Sequence, residues 1–261
     1  MLVSNNQVHF CAYRYPVNWG GFNSVLATLE LMRSAFNDNQ YDYFVILQGL
    51  EYPIKSNREI EQFFNENYGT EFIKAQDISH TTDKNQTFKF HLNYDNDNLS
   101  FVRKPKQALF RKMYMLGFPL KFKENYCSTA KGDKLTVYQG CAQFAVTKNL
   151  VEYILDFANK NNLFNDYFKK VFAPDESYFH TIIYNSQYKL KTPYKGPSKG
   201  KDLVDFENLT YFEYPKLVRA FKHKSEYSEL SKRDFIFFKK ANSESVELLD
   251  YIDFIHKETN S

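Results

Sequence analysis

The sequence has little of what would place it in several large classes. Only three cysteines occur in 261 residues, Cys11, Cys127 and Cys141. With no C-x-x-C spacing they suggest neither a disulfide framework nor a zinc site, and they fit a reducing, cytoplasmic setting. No apolar run approaches the roughly 20 residues that cross a bilayer. Met1 to Gln7 has no charged n-region and no apolar h-region, so no signal peptide is expected. Any work at a membrane would be done from its surface. Charge of one sign is also missing. The 34 basic and 31 acidic residues leave a net +3, and no recognition motif is present, so nucleic-acid binding is not expected. No internal repeat is found, and tryptophan occurs once.

Aromatic residues are abundant instead: 20 Tyr and 26 Phe. That content excludes a disordered chain and suits a core plus a groove for ring-shaped ligands. Strand and helix patterns alternate. Val8–Tyr13 reads as a strand, and Val17-Asn18-Trp19-Gly20-Gly21 as a turn. Phe22, Val25, Leu26, Leu29, Met32 and Phe36 line one face of a helix. Tyr43–Leu47 is a continuous apolar run, the pattern of a strand buried on both faces. Ser56-Asn57-Arg58-Glu59 is a capping box opening a helix that ends near Gly69. Glu71–Ala75 reads as a strand, Asp77 to Ser100 as a long polar loop, Pro105 to Leu116 as a basic helix and Lys123 to Lys134 as a loop.

Val137–Val146, with Gly140 inside, reads as strand–turn–strand. Thr147 is placed to cap a helix burying Leu150, Val151, Ile154, Leu155 and Ala158. A loop at Thr192–Lys201 follows, then strands at Leu209–Glu213 and Phe235–Phe238. The last helix starts near Asn242 or Ser243 and buries Val246, Leu249 and Ile252. The alternation predicts one α/β domain over residues 1–261 with a largely parallel sheet flanked by helices. Ligands of such sheets bind at the carboxyl ends of the strands. Glu51, Glu71 and Glu176 all fall at or near element ends.

The stretch Phe172-Ala173-Pro174-Asp175-Glu176-Ser177-Tyr178-Phe179-His180-Thr181 carries the sharpest chemistry. Proline suits the first position of a helix and acids suit its first turn, so the residues alone fit a plain helix start. A sharper reading is a carboxylate held at a pocket edge as a general base. Asp95-Asn96-Asp97 has the spacing of a metal-binding Asp-x-Asp, but it lies in an Asn/Asp-rich loop where a chance match is common.

Three segments together resemble the core-2/I-branching N-acetylglucosaminyltransferase family, which includes peptide xylosyltransferases and bacterial members. They are Tyr43–Ile60 (Tyr-Phe-Val-Ile-Leu-Gln-Gly-Leu-Glu-Tyr-Pro-Ile and onward), Leu135–Phe144 and Ala173–Thr181, with the Trp19-Gly20-Gly21 turn in support. The resemblance implies a GT-A-like, Rossmann-like fold and inverting, metal-independent transfer of a sugar such as GlcNAc or xylose from a UDP-sugar. No cofactor is implied. It places the catalytic base on Glu176 and leaves Asp175 as a cap or sugar-hydroxyl acceptor. Phe237-Phe238-Lys239-Lys240 resembles the family's basic segment, so Lys240 and Lys239 would bind the donor diphosphate in place of a metal. Arg219 is the nearest match to a second arginine, with Lys222 and Arg233 as competitors. Glu71 would correspond to an acceptor-binding acid, and Glu51 stands where the family often has Asp.

The implied acceptor is a glycan or a lipid-linked oligosaccharide, with peripheral contact to an anionic membrane through the Lys-rich C-terminal third. The family's strand–helix–strand unit ahead of the Trp-Gly turn, roughly sixty residues long, has no counterpart here. The chain is therefore expected to be an N-terminally truncated reading frame, a split protein or a member that has lost donor binding, and to bind UDP weakly or not at all. Two other readings stand beside the first. One is a non-catalytic carbohydrate-binding remnant. The other is a metal-dependent transferase using Asp95 and Asp97.

Overall fold

The computed structural model describes residues 8–79, 90, 97, 103–118, 126–197, 209–213 and 218–259. Its helices are α1 (Asn23–Asn37), α2 (Asn57–Glu66), α3 (Arg103–Met115), α4 (Lys148–Lys160), α5 (Asn162–Phe168), α6 (Tyr178–Tyr184), α7 (Tyr227–Leu230) and α8 (Val246–Thr259). Its strands are β1 (Tyr43–Ile46), β2 (Glu51–Pro53), β3 (Gln76–Asp77), β4 (Tyr126–Ser128), β5 (Lys134–Thr136), β6 (Tyr138–Gln139), β7 (Phe144–Thr147), β8 (Thr210–Phe212) and β9 (Phe237–Lys239). Among the described residues no helix is long and apolar enough to cross a membrane.

The chain divides into two compact units, each assembled from three segments. The first comprises Met1–Asp42, Asp77–Gln139 and Lys148–Asn185. Here α1 packs on α4, and α4 packs on α5 and α6. The helical periodicities account for the core: Val25, Leu29 and Met32 of α1, and Leu150, Val151, Ile154, Leu155 and Ala158 of α4, are buried as expected. Tyr178 is enclosed by Phe22, Phe164 and Phe168, with ring centroids 5.8, 5.0 and 5.4 Å away. Its hydroxyl donates to Asn165 Oδ1 at 2.7 Å. Edge-to-face packing of this kind contributes about 0.5–1.5 kcal/mol per pair beyond burial.

The second unit comprises Tyr43–Gln76, Gly140–Thr147 and Ser186–Ser261. Strands β1 and β7 pair antiparallel, Phe44 opposite Val146. The backbone of Phe72 bridges Ala145 antiparallel. Strand β9 pairs antiparallel with β2 and parallel with β8. Ile54, Phe238, Leu248 and Ile252 form one buried cluster; Phe72, Ala145, Leu209 and Phe237 form another. The Ser56 capping box is present: Ser56 N–H donates to Glu59 Oε2 at 2.8 Å, and Glu59 N–H donates to Ser56 Oγ.

Several expectations are corrected. A largely parallel sheet is not found among the described residues, whose strands are short and pair mostly antiparallel. Of the apolar run Tyr43–Leu47 only Phe44 is buried, while Tyr43, Val45 and Ile46 are half-buried and Leu47 is exposed, so the expected burial on both faces is not found either. The rings of Phe64 and Phe72, 4.7 and 6.2 Å from Tyr43, help to cover the strand. Val8–Tyr13 is irregular, and Glu71–Ala75 makes only the single bridge at Phe72. The segment read as a loop at Lys123–Lys134 instead contributes to a hairpin of β4 and β5. Most of the polar loop Asp77–Ser100 lies outside the described residues. In α8, Leu248 and Ile252 are buried and Val246 is exposed, because the helix begins later than expected.

Thr147 stands directly before α4. It ends β7, and its N–H and hydroxyl donate to the two oxygens of Glu71 at 2.8 and 2.6 Å. Glu71 is wholly buried. Burial pushes its carboxyl above the usual range, and the two Thr147 hydrogen bonds oppose that shift without cancelling it. A carboxyl raised in the folded state makes stability fall as pH climbs from the ordinary carboxylate range through the raised value. Glu71→Ala should cost about 2 kcal/mol, the scale of a broken buried polar pair. Glu71→Gln keeps one acceptor and does not titrate. In urea titrations it should gain on wild type between pH 4 and pH 7; a wild-type-minus-variant difference independent of pH contradicts this.

Candidate active site

The Pro-Asp-Glu segment begins with a backbone constraint. Ala173 sits at φ +49°, in the left-handed region that L-residues other than Asn and Asp rarely occupy. Its N–H donates to Gly20 O at 3.0 Å, in the first unit's Trp-Gly turn. Pro174–Glu176 then form one turn of 3-10 helix, with Glu176 N–H donating to Ala173 O at 3.2 Å and Ser177 N–H to Pro174 O at 3.0 Å. Ser177, at φ −143° and ψ −27°, leaves the helical region, and α6 starts only after it. The expected helix start is therefore corrected to a separate turn. Glu176 ends that turn half-buried, and Asp175 beside it is also half-buried.

What lies against Glu176 is set by α6. Thr181 Oγ1 accepts from Tyr138 N–H at 3.1 Å. Asn185 takes both backbone groups of Thr136, accepting its N–H at 3.1 Å and donating to its oxygen at 2.7 Å. Two helix side chains thus do the work of a neighbouring strand and fix the backbone from Thr136 to Tyr138. The next residue, Gln139, donates Nε2 to Glu176 Oε2 at 3.1 Å. Trp19 stands near the start of the same turn. It is 84 % exposed, and its ring meets the Phe172 ring at 4.9 Å and 75°. The sequence marks it only as the lone tryptophan of a turn.

Of the Asp-x-Asp pair, only Asp97 lies among the described residues. Asp95 lies outside the described residues. Asp97 Oδ2 accepts Asn23 N–H at 2.7 Å, at the start of α1, where an anion is favoured by the helix dipole. Its carboxylate fills the space that a side chain at Gly21 would need. Among the described residues, no group of three His, Cys, Asp or Glu is placed to hold a metal.

The remaining candidates belong to the second unit. Gly49, at φ +78°, bends the chain so that Glu51 can close its own turn. Glu51 Oε2 accepts Gln48 N–H at 2.7 Å and Leu50 N–H at 3.3 Å, while Oε1 accepts Gln143 Nε2 at 2.8 Å. Lys239 Nζ lies 3.4 Å from the same Oε1 and donates to Gln48 Oε1 at 2.9 Å. The Glu51 side chain is fully enclosed. Glu51 and Lys239 are thus brought together, each compensating the other. Arg219 is held in a fork, donating to Glu213 and Glu226 at 2.6 Å each, with its guanidinium 4.3 Å over the Phe221 ring. Burial alone would raise both acids, but hydrogen bonds, those of Arg219 among them, hold both below the usual range.

Lys222 pairs with Glu244 at 2.7 Å, and Arg233 with Glu229 at 2.6 Å. Lys240 differs. Its backbone is fixed by Arg219 O and Phe221 N–H at 3.3 and 3.1 Å, and its half-buried side chain has no ion pair or hydrogen bond among the described residues. Of these five cations, it is the one with charge to offer. Glu71, occupied by Thr147, presents no oxygen to solvent.

The chain is similar to rat xylosyltransferase 1, at 24 % identity over 194 residues covering 70 % of this chain and 20 % of that protein. It is similar to human xylosyltransferase 1 at 24 % over 196 residues, covering 70 % and 17 %. A human protein named as a probable beta-1,3-galactosyl-O-glycosyl-glycoprotein beta-1,6-N-acetylglucosaminyltransferase 7 matches at 25 % over 167 residues, covering 64 % and 34 %. The chain thus aligns with about a fifth of each of these xylosyltransferases and a third of the other protein. The family model described as Core-2/I-Branching enzyme matches residues 3–193. That span holds Trp19, Gln139 and Glu176, and the chain belongs to the Core-2/I-Branching enzyme family.

Proposed function

We propose that this chain is an inverting glycosyltransferase that moves xylose or N-acetylglucosamine from a UDP-sugar to a hydroxyl of a glycan. The observation that carries the reading is Glu176, a half-buried carboxylate on a turn tied at both ends, with an exposed tryptophan near the start of that turn. Family membership and the names of the relatives support the donor class. Glu176 takes the proton of the acceptor hydroxyl as that oxygen attacks the anomeric carbon and the bond to UDP breaks. One base and one displacement invert the configuration, as the water-activating carboxylate of an inverting glycosidase does. Asp175 accepts a sugar hydroxyl.

Charge on the departing diphosphate is met by Lys240. Lys239 and Arg219, compensated by acids of their own unit, keep the backbone around Lys240 in place. Glu51 and Glu71 serve the fold of the second unit. No resident metal has a step in this scheme, so transfer is expected to survive EDTA. A glycan on a lipid carrier, reached from an anionic cytoplasmic surface, fits the sequence's lysine-rich C-terminal third.

Transfer assayed with a panel of UDP-sugars and glycan acceptors tests the reading. Glu176→Gln should lower kcat/KM by about 10²- to 10⁴-fold, the scale of general-base catalysis, with the melting temperature unchanged. Wild-type activity in Glu176→Gln removes the proposed base, and loss of activity in EDTA removes the metal-free scheme. Lys240→Met should weaken UDP-sugar use more than Lys222→Met does. Trp19 is the only tryptophan, so its emission reports directly on occupancy. It should shift to shorter wavelength on titration with a transferred glycan, and an unchanged spectrum at saturation removes Trp19 from the site.

A further inference from the structure

Gln139 is placed with more care than a surface amide needs. Its backbone neighbours are fixed by Thr181 of α6, the helix that follows the Glu176 turn, and by Asn185 at the C-terminal cap of that helix. Its Nε2 lies 3.1 Å from Glu176 Oε2. The assignment of the amide is dictated by chemistry: turned over, it would set a carbonyl oxygen against a carboxylate, with no proton between them. The other end of the amide is unusual. Gln139 Oε1 is buried, and among the described residues it accepts no hydrogen bond. A buried acceptor without a donor costs about 1–3 kcal/mol, and such groups in native structures call for a reason.

We propose that Gln139 is a positioning residue for Glu176 and that its free Oε1 accepts a hydroxyl of the bound sugar. The inference rests on Glu176 being the base. The amide N–H holds Glu176 Oε2 and so sets the orientation of the carboxylate that takes the proton from the acceptor alcohol. The amide oxygen meanwhile gains the donor it lacks, from a hydroxyl next to the reacting one. One amide therefore ties the base and the substrate into a single geometry. An error of about 1 Å there can cost 10²-fold in rate. The class of ligand follows: a polyol that brings a hydroxyl donor beside the reacting oxygen, as a pyranose with neighbouring hydroxyls does.

Three variants separate this role from simple packing. Gln139→Met keeps length and removes both polar groups. Gln139→Glu keeps shape and replaces the N–H donor with an acceptor. Glu176→Gln is run beside them. If Gln139 positions the base, Gln139→Met should lower kcat about 10- to 100-fold with donor KM within about threefold of wild type. Gln139→Glu should lower kcat further, although it matches the native shape best, because two carboxylates then face each other. Melting temperatures within a few degrees of wild type confirm that the loss is catalytic.

A packing role gives the reverse order, with Gln139→Glu near wild type, and overturns the proposal. So does unchanged kcat in Gln139→Met. An acceptor analogue lacking the hydroxyl beside the reacting one should lose binding to wild type and little to Gln139→Met; equal losses in both overturn the second half of the proposal. Full activity in Glu176→Gln marks failure of the base reading itself, whereas an inactive Glu176→Gln beside wild-type-like Gln139 variants marks failure of this inference alone.

Discussion

The first unit depends on two side chains of one helix replacing a β-strand. Asn185, at the cap of α6, takes the N–H and carbonyl of Thr136, and Thr181 accepts the N–H of Tyr138, groups that a sheet neighbour would otherwise pair. Seven consecutive buried residues make α6 a fixed platform, so whatever it holds is fixed as well. Gln139 follows from that hold, and the orientation of Glu176 follows from Gln139. At its other end the turn is tied to Gly20 through Ala173. A carboxylate on so short a turn, anchored at both ends, has little freedom to lose, which is the preorganisation that the proposed role of base calls for.

The second unit shows a different economy of charge. Arg219 and Lys239 look like phosphate ligands in the sequence, yet each is matched by carboxylates of its own unit. A matched cation is a poor partner for a diphosphate, because the diphosphate must first displace a hydrogen-bonded acid. Charge balance along the chain therefore understates how selective the surface is. Lys240 stands apart because its backbone is bound while its side chain has no ion pair or hydrogen bond among the described residues.

The parts of the fold that were legible in the sequence rest on local rules. Ser56 and Glu59 make their capping box because the rule spans only four residues. The buried face of α4 matches its periodicity, since one stripe of a helix meets one core. The rules fail where a partner distant in sequence decides. They fail also at the β4–β5 hairpin, where the pairing is local but the strands are too short and polar to show a period, with Lys134 over the Tyr126 ring. The start of α8 moves because Ser245 donates to Phe221 O and accepts Asn242 N–H, holding Asn242–Ser245 as a cap. The buried face of α8 moves with it. At the site, Glu176 was legible as a proline-led acid, but the turn that carries it was not. Gln139 was invisible, because its neighbour is 37 residues away. Trp19 was visible only as a turn residue, since exposure is not written in sequence.

Stereochemistry tests the central claim most directly, because a lone carboxylate acting as base permits only one displacement. The anomeric configuration of the first-formed product can be read by proton NMR during wild-type transfer from a UDP-sugar. The account requires a linkage of configuration opposite to the donor's, formed by wild type and absent with Glu176→Gln. A product that retains the donor's configuration would contradict it.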